Sequence, residues 1–318
     1  MIGVRVRMTG IINLYKEKGM TSHSCVAKVR KLLKVKKAGH PGTLDPEATG
    51  VLPIMIGGAT RCSDLFLDMR KTYRAEATFG LVSDTQDIWG EVTRTNGSTG
   101  AVSAETVREA LKAFKGTVLQ VPPAYSALKK DGVPYYKLAR RGEAFEAEAR
   151  PVVIYSCELI GFGANDGGLP VAEIEVCCGR GTYIRTIIND LGAALGCGAV
   201  MSKLERTSYG DFTAENAVTL KDVEEASALG QTGSIVRPVR ELFGFPMLEL
   251  TDKEHLAYMQ GKTVSVARER IEAYGEAPQD EGEGRRVLLL REGREFALCR
   301  CGGGDVVKLA PERYFGLD

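Results

Sequence analysis

A single carboxylate lies in the part of the sequence whose composition most restricts the backbone. Asp45 stands between Gly39-His40-Pro41-Gly42-Thr43-Leu44 and Pro46-Glu47-Ala48-Thr49-Gly50. Proline fixes φ and glycine permits unusual φ, so this stretch predicts a loop of defined shape. A carboxylate held in such a loop can act as a nucleophile. The simpler interpretation is an Asx-turn, in which Asp45 hydrogen-bonds its own backbone.

Two other side chains are suited to act with Asp45. Tyr73 lies in the alternating segment 71–80, so a strand is predicted there, with Tyr73 as a core aromatic or as a ring available to a ligand. Arg185 falls in the first turn of a predicted helix with an apolar stripe. The helix macrodipole disfavours a cation there by about 0.3–1 kcal/mol, so Arg185 should have a carboxylate partner. An opposite charge of this kind also keeps a nucleophilic carboxylate ionised.

The net charge of +1 conceals an uneven distribution. Residues 1–82 contain fourteen Lys and Arg against six Asp and Glu. A phosphate backbone could be attracted to this part of the molecule, although a solvated helix face would have the same composition. The basic cluster that leads into the Asp45 loop consists of Lys28, Arg30, Lys31, Lys34, Lys36 and Lys37.

No metal or cofactor is predicted. The eight cysteines form no Cys-x-x-Cys, and with three histidines no zinc pattern arises, so we expect reduced and mostly buried thiols. Asp84, Asp87 and Glu91 are close enough in sequence to suggest a Mg²⁺ site, but no phosphate-binding glycine loop accompanies them. We expect their turn to be structural.

The composition indicates a soluble globular chain, with 44% apolar and 26% charged residues. It contains no apolar run of membrane-spanning length and no signal-peptide core, so we expect a cytoplasmic protein with no membrane span. The hydrophobic patterns predict an α+β fold with a mixed, mostly antiparallel sheet flanked by helices, followed by a small β-rich region. The length of 318 residues allows two domains.

The sequence also predicts the bounds of several strands, turns and helices. A buried strand is predicted over 9–14, then a turn over 16–22 that presents basic side chains, then a helix from Ser22 or Ser24 to about Lys37. Strands are predicted over 151–163 and 169–178, and the charged stretch 267–286 is predicted to be a loop.

Five segments resemble, in order, the motifs of the TruB-type tRNA pseudouridine synthases. They are Gly-His-x-Gly-Thr-Leu-Asp-Pro at 39–46, Lys-x-Tyr at 71–73, Asp-Thr-x-Asp-x-x-Gly at 84–90, Gly-x-Tyr-x-Arg at 181–185 and Leu204 with Gly-x-Phe at 210–212. The resemblance extends over about residues 9–245. It implies the pseudouridine synthase fold and isomerisation of uridine 55 in the T-loop of tRNA, by base flipping and without cofactor, metal or guide RNA.

The resemblance also implies the catalytic residues. Asp45 matches the essential nucleophile, and Arg185 matches the arginine that pairs with it. Tyr73 matches a tyrosine that stacks on the uracil and is a candidate for removing the proton from C5. Asp45 would attack C6 of the uracil or C1′ of the ribose, or remove a ribose proton; these routes stay open.

The remaining implied contacts concern the substrate. His40 would help to fill the space that the flipped uridine leaves, Tyr183 would line the base pocket, and Leu204 would pack on the target base. Lys129 lies in a segment at about 120–150 that mixes basic and aromatic residues, as gripping an unstacked RNA loop requires. This segment matches the family's RNA-gripping insertion; a surface hairpin is the alternative.

Two positions depart from the family's pattern. Glu17 replaces a proline, which leaves the rigidity of the 16–22 turn and any substrate contact by Lys16 uncertain. Glu205 replaces an arginine, so we expect a phosphate or loop contact to be missing there.

The resemblance implies a catalytic domain over residues 1–245 and a PUA-like RNA-binding domain over 246–318, for which a generic β-barrel is the alternative. We expect a monomer whose partner is the T-arm stem-loop of tRNA. Three other functions stay open: a non-catalytic tRNA-binding or folding protein, a guide-dependent synthase subunit, and a metal-dependent hydrolase that uses Asp84 and Asp87.

Overall fold

The computed structural model describes residues 8–126, 128–143, 147–272, 285–302 and 305–316. In chain order, its strands are β1 (Gly10–Lys16), β2 (Ala38–Gly39), β3 (Thr49–Ile56), β4 (Lys71–Phe79), β5 (Leu81–Ser83), β6 (Val92–Arg94), β7 (Gly116–Gln120), β8 (Lys129–Lys130), β9 (Val133–Pro134), β10 (Arg150–Ala164), β11 (Pro170–Cys178), β12 (Ala199–Tyr209), β13 (Phe212–Thr213), β14 (Met247–Glu249), β15 (Val264–Ala267), β16 (Arg285–Arg291), β17 (Arg294–Cys301) and β18 (Val306–Tyr314). Its α-helices are α1 (Ser22–Leu32), α2 (Ala104–Leu111), α3 (Tyr135–Arg140), α4 (Ile184–Ala194), α5 (Leu220–Ala228), α6 (Asp252–Met259) and α7 (Glu269–Glu272).

The larger sheet has the order β1-β3-β12-β4-β11-β10-β7, with β2 paired to β3 and β13 paired to β12. The pair of β12 with β3 is parallel, and the other pairs of this sheet are antiparallel. A mixed, mostly antiparallel sheet was predicted, and this prediction is confirmed. The central strands β12 and β4 bring distant parts of the sequence side by side.

The two faces of this sheet pack against different layers. On β1, Ile12 and Leu14 join a core cluster that also holds buried residues of the helices α1, α2, α4 and α5. Ile11 points to the other face, where it packs with Phe66 and with Leu298 of the smaller sheet. Because side chains alternate along a strand, the strands β1, β3 and β12 contribute to both layers.

The smaller sheet has the order β14-β16-β17-β18-β15 and forms the β-rich region expected after residue 245. It is joined to the larger sheet by the shared apolar cluster and by polar contacts. The Glu295 carboxylate accepts a hydrogen bond from the Val239 backbone at 2.6 Å, and Arg313 donates to the Arg61 carbonyl at 2.9 Å. Part of the predicted loop at 267–286 forms β15, α7 and β16, and residues 273–284 lie outside the described residues.

Two expectations for the N-terminal segment were wrong. The first helix begins after Thr21, whose hydroxyl accepts from Ser24 N at 3.0 Å, and it ends at Leu32 instead of Lys37, because Lys34 takes a φ of 54° that ends helical bonding. Lys16, expected to project from a turn, is fully buried: its ammonium donates to the carbonyls of Glu17 at 3.0 Å and Pro46 at 2.9 Å.

The eight cysteines are unpaired thiols, six of them buried and two half-buried. Among the described residues, the helices are all too short or too polar to cross a membrane.

Candidate active site

The loop that carries Asp45 joins β2 to β3 and is fixed at several points. The Ser22 hydroxyl accepts from Leu44 N at 2.8 Å and donates to Leu44 O at 3.0 Å. The Pro46 carbonyl accepts from the Lys16 ammonium and, at 2.9 Å, from Gly19 N. These bonds tie the loop to α1 and to the turn after β1, so that turn is fixed although it lacks the expected proline.

Gly50 brings the end of this loop against β12. Its φ is 102°, and a Cβ there would lie 2.2 Å from the Arg206 carbonyl oxygen. Both facts require glycine, because a side chain would be strained in this conformation and would collide with the backbone. The close approach sets the position from which Asp45 points into the site.

Arg185 is the centre of the site. It is 5% exposed, and its Nε lies 3.0 Å from Oδ2 of Asp45, so the expected ion pair is present. Its Nη1 donates to the Thr85 carbonyl at 3.0 Å, and its Nη2 donates to the Tyr125 carbonyl at 3.0 Å. These bonds fix the guanidinium plane, and with it the orientation of the Asp45 carboxylate.

Asp87 belongs to the same cluster, although its turn was expected to be only structural. Its Oδ2 lies 3.5 Å from Nη1 of Arg185, and its Oδ1 accepts from the Thr85 hydroxyl at 2.7 Å and from Trp89 N at 3.1 Å. Arg185 is thus placed between two carboxylates. The spacing of Asp84 and Asp87 was visible in the sequence, but the arginine that Asp87 faces is 98 residues away.

The charges around Asp45 act in opposite directions on its pKa. Burial raises the pKa of the carboxyl, Arg185 lowers it, Asp87 raises it and Lys16 lowers it, and the net direction is upward. The Arg185 pair therefore does not fully offset the desolvation of Asp45.

Tyr73 lies on β4, on the face of the sheet that packs against the helices. Its register partner on β12 is Arg206, whose guanidinium carbon is 6.0 Å from the Tyr73 ring centroid. Burial raises the pKa of the Tyr73 phenol, and Arg206 lowers it. The charge of Asp45 also acts on this phenol, so the two groups lie in one site.

Arg206 is a residue that sequence reasoning missed. It is 1% exposed; its Nε donates to the Val51 carbonyl at 2.7 Å and its Nη2 donates to the Gly42 carbonyl at 3.3 Å. It therefore holds both ends of the Asp45 loop. Its partners lie 155 and 164 residues away in the sequence, so no local pattern identified it.

The other predicted substrate contacts fall into two groups. Tyr183 caps α4, and its N donates to Oε1 of Gln120 at 2.8 Å; the charges of Arg185 and Asp45 both act on its phenol. Leu204 pairs with Ala75 of β4 and is 9% exposed. Both therefore lie near Tyr73 or Asp45.

His40 and Lys129 are less directly connected to Asp45. His40 lines a pocket with His23 and Arg30 of α1, and burial lowers its pKa. Its Nδ1 is buried without a hydrogen-bond partner among the described residues. Lys129 is exposed on the small hairpin β8–β9, and the structure does not bring it into contact with the Asp45 cluster.

The acidic turn considered for Mg²⁺ has other partners. Asp84 Oδ1 accepts from Glu91 N at 2.8 Å, and the cation that faces Asp87 is Arg185. In the part of the chain that the structure describes, no three His, Cys, Asp or Glu side chains come together as metal ligands would.

Glu205 forms a contact that was not foreseen. Its Oε1 accepts from the Tyr15 hydroxyl at 2.8 Å; because Tyr15 lies on the strand β1, the predicted loss of a loop contact stays a prediction. Tyr15 adjoins Lys16, so this bond links β12 to the end of β1. The predicted loss of a phosphate contact stays a prediction.

Comparisons with known proteins agree with these motifs. The family model for the N-terminal domain of TruB family pseudouridylate synthases matches residues 30–184, and the model for the tRNA pseudouridylate synthase B C-terminal domain matches residues 185–243. A protein of Clostridium perfringens (strain SM101), named tRNA pseudouridine synthase B, is 45% identical over 218 residues, 69% of this chain and 72% of that protein. A protein of the same name from Aromatoleum aromaticum is 39% identical over 305 residues, 96% of this chain and 92% of that protein.

A solved structure is similar over nearly the whole chain. It belongs to the crystal structure of a Cbf5-Nop10-Gar1 complex, with a TM-score of 0.69, 27% identity, and coverage of 96% of this chain and 85% of that chain. The predicted pseudouridine synthase fold with a PUA-like C-terminal region is confirmed. Because the two family matches together span residues 30–243, the protein belongs to the TruB family of pseudouridylate synthases.

Proposed function

We propose that this protein is a tRNA pseudouridine synthase that isomerises uridine 55 in the T-loop, with Asp45 as its nucleophile. The observation that carries the proposal is the pair of Asp45 with the buried Arg185, in a member of this family whose relatives are named tRNA pseudouridine synthase B. The guanidinium orients the carboxylate and favours its ionised form, which is the form that attacks.

The reaction conserves the atoms of the uridine. Asp45 attacks C6 of the uracil or C1′ of the ribose, or removes a ribose proton, and the bond between N1 and C1′ breaks. The uracil then turns and C5 forms a bond to C1′. The bond of Asp45 to C6 or C1′ breaks, or the ribose proton is returned, and N1 takes up a proton while the proton of C5 leaves. Nothing is oxidised or reduced, so the reaction needs no redox cofactor.

The other site residues bind and orient the base in this proposal. The uridine flips out of its loop, His40 helps to fill the space it leaves, and Tyr73 stacks on the uracil. Tyr183 and Leu204 complete the base pocket. Because burial raises the pKa of Tyr73, its phenol is neutral near pH 7, so it would accept the C5 proton only while releasing its own.

In this proposal, separate parts of the chain make the RNA contacts that lie outside the base pocket. Residues 1–245 form the catalytic domain, and the insertion at about 120–150, with Lys129, grips the T-arm. Residues 246–318 form a PUA-like RNA-binding domain. The enzyme acts in the cytoplasm as a monomer, on the RNA alone.

Locating pseudouridine within the tRNA tests both the substrate and the modified position. Two tRNA transcripts are compared, one unchanged and one with cytidine at position 55, with EDTA present and no guide RNA. We expect about one pseudouridine per unchanged transcript, located at position 55, and none in the other.

Other results would favour the other functions. Binding without product would favour a non-catalytic tRNA-binding or guide-dependent role, and product at another uridine would contradict the assigned position. Loss of activity in EDTA would favour a metal-dependent reaction.

A further inference from the structure

The turn between β5 and β6 exposes two large apolar side chains beside the site. Trp89, the one tryptophan of the 318-residue sequence, is 38% exposed, and its neighbour Ile88 is 39% exposed. Single exposed apolar residues are common on protein surfaces. These two are adjacent, and they occupy the two unspecified positions of the Asp-Thr-x-Asp-x-x-Gly pattern, so the family's motif does not account for them.

The backbone under Trp89 is tied to the catalytic cluster. Trp89 N donates to Oδ1 of Asp87, the carboxylate whose other oxygen faces Arg185. Ile88 N donates to the Met201 carbonyl of β12 at 2.9 Å. The indole is therefore held next to the site and does not belong to a free loop.

Trp89 is linked to the Asp45 loop through Lys18. The Lys18 ammonium lies 5.5 Å from the indole centroid, and it is 3.5 Å from Oε2 of Glu47, two residues after Asp45. The Lys18 side chain is 61% exposed, so it can move aside at little cost. An aromatic ring with a mobile cation thus stands at the edge of the Asp45 site.

We propose that Trp89 stacks on an unpaired nucleobase of the substrate RNA that neighbours the flipped uridine, while Lys18 pairs with a phosphate beside that base. The inference rests on the proposed function, which supplies a single-stranded RNA loop at Asp45. An indole accepts any base on its face, and a nearby cation accepts the phosphate, which is the combination that unstacked RNA requires. A purely structural contact between Lys18 and Trp89 is the competing account.

Intrinsic fluorescence tests this contact directly, because the emission of the protein's tryptophan comes from Trp89 alone. The full-length Asp45→Asn protein is titrated with a T-arm stem-loop and with a paired hairpin of equal length closed by a short tight loop. Anisotropy of an end-labelled copy reports binding of each RNA. We expect the stem-loop to quench the emission strongly at saturation, and the paired hairpin to bind with little quenching.

Variants separate stacking from a structural role. Trp89→Leu removes the ring on which the base stacks, so it should weaken stem-loop binding by about tenfold and leave binding of the paired hairpin unchanged. Trp89→Phe should restore most of the affinity. Ile88→Ala, a matched control in the same turn, should bind within about twofold of wild type. At saturating RNA, the single-turnover rate of Ile88→Ala should stay within about twofold of that of wild type.

The outcomes distinguish the two proposals. Stem-loop binding without quenching, or equal affinity of wild type and Trp89→Leu, would overturn the stacking contact. Equal weakening for both RNAs would also overturn it, in favour of the structural account. Quenching and loss of affinity as expected, without pseudouridine formation by wild type, would support the contact and contradict the proposed function. Absence of any stem-loop binding would overturn both.

Discussion

Three buried cations surround the Asp45 loop, and they differ in the groups that they contact. Arg185 faces two carboxylates, one of which is Asp45. Lys16 and Arg206 face carbonyl oxygens of the loop and of the strand that follows it. Within the described residues, no carboxylate lies at ion-pair distance from either of these two. One cation therefore orients the reactive group, while two fix the backbone that carries it.

This difference has an energetic meaning. A buried charge that lacks an opposite charge is costly to desolvate, and burial lowers the pKa of Lys16 accordingly. Arg206 stays charged because guanidinium does not deprotonate in proteins, and it lies 5.0 Å from the ring centroid of Tyr209. Holding the loop in place therefore requires the desolvation of two cations that, among the described residues, face no opposite charge. Substituting the cation that orients Asp45 should therefore mainly change the reaction rate. Substituting a cation that fixes the backbone should mainly change the free energy of unfolding.

The largest effect on chemistry is expected at Arg185. Arg185→Lys keeps the charge but loses the fixed geometry of the guanidinium, so Asp45 is no longer oriented. The single-turnover rate should fall by about 100-fold, since small misplacement of a reacting group costs that much. Arg180→Lys is the matched control, because that exposed arginine lies in the preceding turn and its nearest carboxylate is 3.8 Å away. Equal rates for both variants would contradict the orienting role.

The largest effect on stability is expected at Arg206. Arg206→Met leaves the carbonyls of Val51 and Gly42 without their donor, and hydrogen bonds to a charged group contribute about 1.5–3 kcal/mol each. The free energy of unfolding, measured in urea, should decrease by about 3 kcal/mol. Lys203→Met, on the exposed side of the same strand, should change it by less than about 1 kcal/mol. If Arg206→Met is as stable as that control, Arg206 does not hold the loop.

The pH dependence of activity should respond in opposite directions to two substitutions. The pKa of Asp45 is raised above its ordinary value, and the ionised form reacts, so activity is lost as the pH falls through that raised pKa. Lys16→Met removes a charge that lowers this pKa and should move the acid limb to higher pH. Asp87→Asn removes a charge that raises it and should move the limb to lower pH. Single-turnover rates across the acid limb measure both, and shifts of the same sign would contradict the assignment.

The smallest effect concerns the hydrogen bond between Tyr15 and Glu205, a residue at which this chain departs from its family's pattern. Tyr15→Phe and Glu205→Met should each lower the free energy of unfolding by about 1 kcal/mol, and the double variant should lose little more than either alone. Additive losses in urea unfolding would show that the bond does not couple the two strands.

The sequence was sufficient for the parts of the site whose evidence is local. The glycines and prolines marked the loop of Asp45, and a cation at a helix start predicted a carboxylate partner for Arg185. The resemblance to the TruB family identified Asp45 as the nucleophile and as that partner. Lys16, Asp87 and Arg206 were given no such role, because each acts through contacts with distant residues. The alternation over 71–80 also predicted the strand β4 that carries Tyr73, whereas the end of α1 depended on the conformation of Lys34.

The central claim is that Asp45 performs the chemistry and is not merely part of a turn. The most direct measurement is release of tritium from a tRNA transcript labelled at uridine C5, in EDTA and without guide RNA, by wild type and Asp45→Asn. We predict release by wild type and none by the variant, with RNA binding by the variant within about tenfold of wild type. Release by the folded variant at a rate near that of wild type would contradict the account.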